Sequence, residues 1–102
     1  MSVTINRKRG DNYPIGATIK INGEAVDLTG SEMKFSFKNS EGLVTTVIGV
    51  IDVDAVGVVN FTPTVEQMAI SGQYQFDIQR EIDTVVSTHL SGTMLLSDDV
   101  TP

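Results

Sequence analysis

Few residues of this 102-residue chain have the types and spacing that chemistry requires. The segment Asp52-Val53-Asp54-Ala55-Val56-Gly57 supplies the first, third and sixth positions of a calcium-binding loop. It fails at the fifth, Val56, and at the twelfth, Pro63, where oxygen ligands and a bidentate carboxylate are needed. An acidic hairpin is the reading that survives, and Asp98-Asp99 reads as a solvated tail. Zinc lacks donors, because the chain has one His and no Cys. That histidine, His89, falls in an alternating strand, with no Gly-x-Ser-x-Gly elbow to offer it a nucleophile. Two carboxylates at a glycosidase separation would suffice for hydrolysis, but a bare sandwich of this size seldom provides the cleft that goes with them. No catalytic, metal or cofactor site is expected, and the chain is expected not to be an enzyme.

Two short motifs concern binding. Arg9-Gly10-Asp11 spells the tripeptide that integrins read, yet Gly and Asp are also what a turn between strands asks for, and the turn is the preferred account. Arg7, Lys8 and Arg9 all precede the first acidic residue, Asp11, in a chain with 7 Lys and Arg against 13 Asp and Glu. A run of this kind is a solvated turn or a basic spot that docks on an acidic partner. These three residues are the candidate protein-interaction site.

The elements that must position them are short strands. Val3 and Ile5 alternate in a first strand, Ser2 to Asn6. Tyr13, Ile15, Ala17, Ile19 and Ile21 share one face of the next, closed by Asn22-Gly23, the strongest signal for a turn with positive φ at both centres. Ala25 to Leu28 is a short extended piece. Met33, Phe35 and Phe37 alternate with Lys34, Ser36 and Lys38 in the clearest amphipathic strand. Val44 to Val53 is a Val, Ile and Thr run in which Gly49 marks a bulge or bend. Val58 to Thr62 follows. Thr64 to Ile70 is the one candidate helical turn, capped by Thr64. Tyr74, Phe76 and Ile78 alternate with Gln73, Gln75, Asp77 and Gln79, a turn at Glu81 to Asp83 leads to Val85–Leu90, and Ser91-Gly92 is expected to turn into a final strand, Thr93–Ser97.

The expected fold is therefore all-β: an immunoglobulin-like β-sandwich of seven to nine strands with one short helical turn, forming a single domain over residues 1–102. Tyr74 is placed as the buried tyrosine at a crossing between sheets, with Tyr13 as its competitor, and both are expected to be buried. A net charge of −6 and a pI near 4.4 argue against nucleic acid and anionic membrane as partners. The N-terminus has no apolar region of a signal peptide, and no stretch reaches the ~18 apolar residues of a membrane span. Synthesis in the cytoplasm without export is the expectation.

Three segments in this order carry a family resemblance: Arg9-Gly10-Asp11-Asn12-Tyr13-Pro14, Val26-Asp27-Leu28-Thr29-Gly30, and Gly72-Gln73-Tyr74-Gln75-Phe76-Asp77-Ile78. From about Arg9 to Val100 the chain resembles the immunoglobulin-like N-terminal domain of the phage baseplate upper protein family. The resemblance implies a non-enzymatic structural protein of a phage or prophage tail, baseplate or neck. Such a protein is made in the bacterial host cytoplasm and located in the virion. Its implied partners are other phage structural proteins, with a homo-oligomeric ring as one arrangement. In that family the domain anchors on the tail core and carries helical linkers towards receptor-binding proteins. No linker follows here before Pro102. The rival reading is a carbohydrate-binding or host-surface adhesion module, which would call for exposed aromatic platforms in a chain with no Trp and 2 Tyr.

Overall fold

The computed structural model describes residues 2–52 and 56–98. Asp54 and Asp99, raised above as acidic positions, lie outside the described residues. Among the described residues nine strands make up the regular structure: β1 (Ser2–Lys8), β2 (Ile15–Thr18), β3 (Lys20–Ile21), β4 (Glu24–Ala25), β5 (Glu32–Lys38), β6 (Val44–Ile51), β7 (Val58–Phe61), β8 (Gly72–Ile82) and β9 (Val85–Ser97). Seven form one sheet in the order β1-β9-β8-β5-β6-β7-β2, and β3 and β4 form a separate ribbon. All neighbours in the large sheet run antiparallel except β1 and β9. The fold is an all-β sandwich.

The sheet becomes two layers at β6. This strand pairs with β5 from Val44 to Ile48 and with β7 from Gly49 to Ile51. Gly49 sits at the handover, and a Cβ there would lie 2.6 Å from Val59 Cγ2 and 2.7 Å from Phe61 Cε1. Only a residue without a side chain lets β6 cross so closely over β7, which gives the expected bend its cause. Between the layers lies an apolar core. Phe35, Phe61, Val59, Met68 and Met94 are fully enclosed, and Phe35 stacks on Phe76 with ring centroids 5.1 Å apart. Phe37 meets Tyr74 edge-on at 5.4 Å. The alternation of Met33, Phe35 and Phe37 produces this directly, since every second side chain of β5 points to one face.

Three expectations need correction or sharpening. The strand expected from Tyr13 to Ile21 breaks at Ile19, whose N–H donates to the Gly57 carbonyl at 2.8 Å and whose carbonyl accepts from Val26 N at 3.0 Å. Ile15 and Ile19 remain in the core, whereas Ile21 and Tyr13 at the two ends are exposed. Tyr13 is thus not buried: it is 55% exposed. The Thr64 to Ile70 segment closes a single turn and does not continue as a helix. Its start is a reciprocal capping box, with Gln67 N donating to Thr64 Oγ1 at 3.1 Å and Thr64 N donating to Gln67 Oε1 at 2.8 Å. This turn delivers Met68 to the core and Ile70 to the corner, where Tyr74 donates its hydroxyl to the Ile70 carbonyl at 2.7 Å. That bond is the buried-tyrosine corner expected of such a sandwich.

Candidate docking surface

Arg7, Lys8 and Arg9 end β1 and enter its turn, and the structure gives them three different situations. In Lys8–Asp11 the Asp11 N–H donates to the Lys8 carbonyl at 3.1 Å, and Gly10 adopts φ 81, a value glycine takes without steric cost. Gly10 N donates to the Met68 carbonyl at 2.6 Å, and Asp11 accepts at Oδ2 from Lys8 N at 3.3 Å. The Arg-Gly-Asp tripeptide is thus used to build the turn. Lys8 is exposed. Arg9 pairs with Asp98 at 3.5 Å in an exposed ion pair. Arg7 is half-buried and reaches across to the segment before β2.

That reach makes a clasp. Arg7 donates to the Tyr13 carbonyl at 2.6 Å and to the Pro14 carbonyl at 3.0 Å. Its guanidinium carbon lies 3.5 Å from the centroid of the Tyr13 ring, within cation–π range. The exposed Tyr13 therefore has one ring face covered by the guanidinium. Sequence reasoning counted Arg7 as a charge. Its partners are backbone carbonyls, and a carbonyl leaves no mark in a sequence.

β1 and β2 are the two edges of the large sheet, and the sheet curls until both line one cleft of about 480 Å³. Its walls are Val3, Thr4, Ile5 and Arg7 on one side and Ile15, Gly16, Ala17 and Thr18 on the other, over a floor of Phe76, Ile78 and Leu90. A smaller hollow of about 250 Å³ shares Thr18 and Leu90 with it and adds Ile19, Lys20 and His89. His89 sits at a β-bulge: Ile78 pairs with Leu90 and Gln79 with Thr88, so His89 is the extra residue between them. Its Nε2 is 3.0 Å from Ser87 Oγ. Partial burial, and then the charge of Arg80, hold its pKa below the usual imidazole value.

The outer face of the sheet is polar over β5 and β8 and apolar along β6, while β9 mixes Thr and Ser with exposed Val85, Val86 and Leu95. Ser36 and Thr46 hydroxyls meet at 3.0 Å, and Lys34 lies 3.4 Å from Glu32 and 3.9 Å from Glu81. On β6, by contrast, Val44, Ile48 and Val50 stand on the outer side at 62%, 56% and 71% exposure, with Leu43 beside them at 67%. The sequence reading recognised a Val, Ile and Thr run without assigning its faces. The signal was present, because a strand solvated on one side should alternate and this one carries apolar residues on both.

Among the described residues no three His, Cys, Asp or Glu side chains gather to hold a metal, and no buried polar side-chain atom lacks a partner. The molecule belongs by its architecture to the small β-sandwich domains whose assets are surfaces and strand edges. Residues 2–91 match the BppU N-terminal domain family, and the chain belongs to that family, the N-terminal domains of phage baseplate upper proteins. Among solved structures, the N-terminal domain of phage TP901-1 ORF48 superposes with a TM-score of 0.62 at 13% identity, covering 96% of this chain and 86% of that one. At that identity the likeness shows the fold alone. No curated protein matches the chain. Family membership gives the chain a structural role in a phage tail or baseplate, as a virion component with other phage structural proteins as partners.

Proposed function

We propose that this chain is a non-enzymatic structural part that docks by protein contacts within a symmetric tail or baseplate assembly. The observation that carries the reading is the apolar outer row of β6, Val44, Ile48 and Val50 with Leu43. Apolar groups gathered on a sheet face are typical of surfaces that a partner covers. Repetition around a ring would let contacts of modest strength add through multivalency. The basic turn is the second proposed contact. Lys8 and Arg9 project from it, while Arg7 holds the turn in place.

The test is incorporation into particles, read by mass spectrometry of the intact proteins in purified virions. Ile48→Glu with Val50→Glu should reduce the amount of this chain per particle while leaving its melting temperature close to that of the unaltered chain. Lys8→Glu with Arg9→Glu should lower it further. Full incorporation of both variants would discard the two contact surfaces, and absence of the unaltered chain from well-formed particles would discard the structural reading.

A further inference from the structure

The two edges that face the cleft present something besides apolar side chains. Thr4 lines it as well as Val3 and Ile5, and Gly16 and Thr18 as well as Ile15 and Ala17. Neighbouring residues of a strand point to opposite faces, so a hollow touched by consecutive residues is touching the edge of the strand and not one of its faces. β1 is paired only with β9, and β2 only with β7, among the described residues. Each therefore turns its second row of backbone N–H and C=O groups towards the gap. Unpaired edges are the standing hazard of sheets, and proteins usually block them or employ them.

The two edges run in opposite directions, as follows from the pairings across the sheet. The Arg7 clasp closes the gap at the end of β1 and the start of β2. At the other end it opens through Thr18 and Leu90 into the hollow beside Lys20 and His89. The result is a groove along the five residues from Val3 to Arg7, a strand length of roughly 16 Å at about 3.3 Å per residue. Arg7 lines the groove, and Lys20 and the titratable His89 line the hollow it opens into; among the described residues no Asp or Glu lines either, although the chain as a whole carries −6.

We propose that this groove takes an extended acidic segment of a partner protein, which adds as a strand between β1 and β2 and closes the sheet. Two facing rows of backbone groups are matched only by another extended chain, which pairs antiparallel to one edge and parallel to the other. Its alternate apolar side chains would rest on Phe76, Ile78 and Leu90, and acidic residues at its ends would meet Arg7 and Lys20. Strand addition of this kind draws affinity from main-chain bonds and selectivity from alternate side chains. The proposal deepens the docking reading and rests on it for the partner's identity as an assembly protein. The groove itself can be tested without particles.

The probe is a capped peptide of alternating Val and Thr with Glu at both ends, titrated into the isotopically labelled chain and followed by amide chemical shifts and hydrogen exchange. Saturable shifts at Thr4, Gly16 and Thr18, with slowed exchange along both edges, are expected. Methylating the Val amide nitrogens removes backbone donors and should weaken binding by at least about tenfold. Lys20→Glu, an exposed change that leaves the core untouched, should weaken the Glu-flanked peptide and strengthen a Lys-flanked one. Ala17→Leu should fill the groove and abolish both. No shifts at these amides, or equal binding of the methylated peptide, would overturn strand addition. Shifts at the same amides that depend on protein concentration without peptide would assign the groove to a second copy of the chain and overturn the partner proposed here. Failure in this titration with normal particle incorporation would remove the groove and leave the assembly role standing.

Discussion

Replacing Arg7 separates charge from position at one residue. Arg7→Ala removes two hydrogen bonds to carbonyls and the stacking on Tyr13, and we expect a loss of about 1–2 kcal/mol in urea unfolding. Arg7→Lys keeps the charge but not the planar fork, so it should recover only part of that loss; full recovery would show that charge alone matters. Gly92 makes the opposite kind of demand. It pairs with Val3 in the parallel ladder, and a Cβ there would overlap the Val3 carbonyl. Gly92→Ala should destabilise by about 3 kcal/mol or more, with accelerated hydrogen exchange concentrated in β1. Wild-type stability in that variant would mean that β1 can shift at little cost. The sequence reading saw Ser91-Gly92 as a turn between strands. In the structure β9 runs straight through it, because the position demands closeness to another chain segment and not reversal. Local composition cannot distinguish those two reasons for a glycine.

At the scale of elements, turns were the most legible feature where their chemistry was strong. Asn22 and Gly23 take φ 53 and 82, as their types foretell. The hairpin joining β8 to β9 uses the same backbone form at Asp83 and Thr84, with φ 50 and 65. A β-branched residue at positive φ is strained, so this turn was harder to place from sequence. Thr84→Gly should relieve that strain and raise stability by about 1 kcal/mol, read as a higher urea midpoint with an unchanged slope. A neutral or negative result would mean that Thr84 makes a compensating contact. The alternation of β5 and β8 was legible for a different reason: each has one face in the core and one in water. β6 resisted because its outer row is apolar too. Tyr74 is legible through its place after the Thr64 turn, whereas the period-two reading puts Tyr13 in the core by extending back before Ile15, where β2 begins, and puts Ile21 there by running on past Thr18, where β2 ends. The strand stops where backbone bonds at Ile19 go elsewhere, and nothing in the side chains records that.

For the molecule as a whole, pH reports on two places. His89 titrates below the ordinary value of 6.5 because burial, and then Arg80, disfavour its charged form. The unfolded state then binds more protons than the folded one in the window just below 6.5, so stability rises with pH through that window and is lost as pH falls through the folded value. Asp27 accepts from Thr29 N at 3.0 Å, and hydrogen bonding with Thr29, followed at some distance by Arg80, lowers its pKa from 3.8. Its contribution is present at neutral pH and disappears only in stronger acid. His89→Gln should erase the upper step and keep the lower one, and two steps persisting in unfolding curves across pH would show that another group titrates. The overall architecture could be read from strand spacing and the aromatic alternation. The groove could not, since it arises from two edges far apart in sequence being brought face to face by the curl of the sheet. One consequence of that closure is mechanical. β1 and β9 lie side by side and point the same way, with Ser2 opposite Ser91 and Lys8 opposite Ser97. Tension applied at Ser2 and Ser97 therefore pulls the two strands along their own length in opposite directions. The bonds between them are loaded together in shear and cannot open one after another like a zip, so a chain joined into a tail at these two points would resist stretching far better than its modest size suggests.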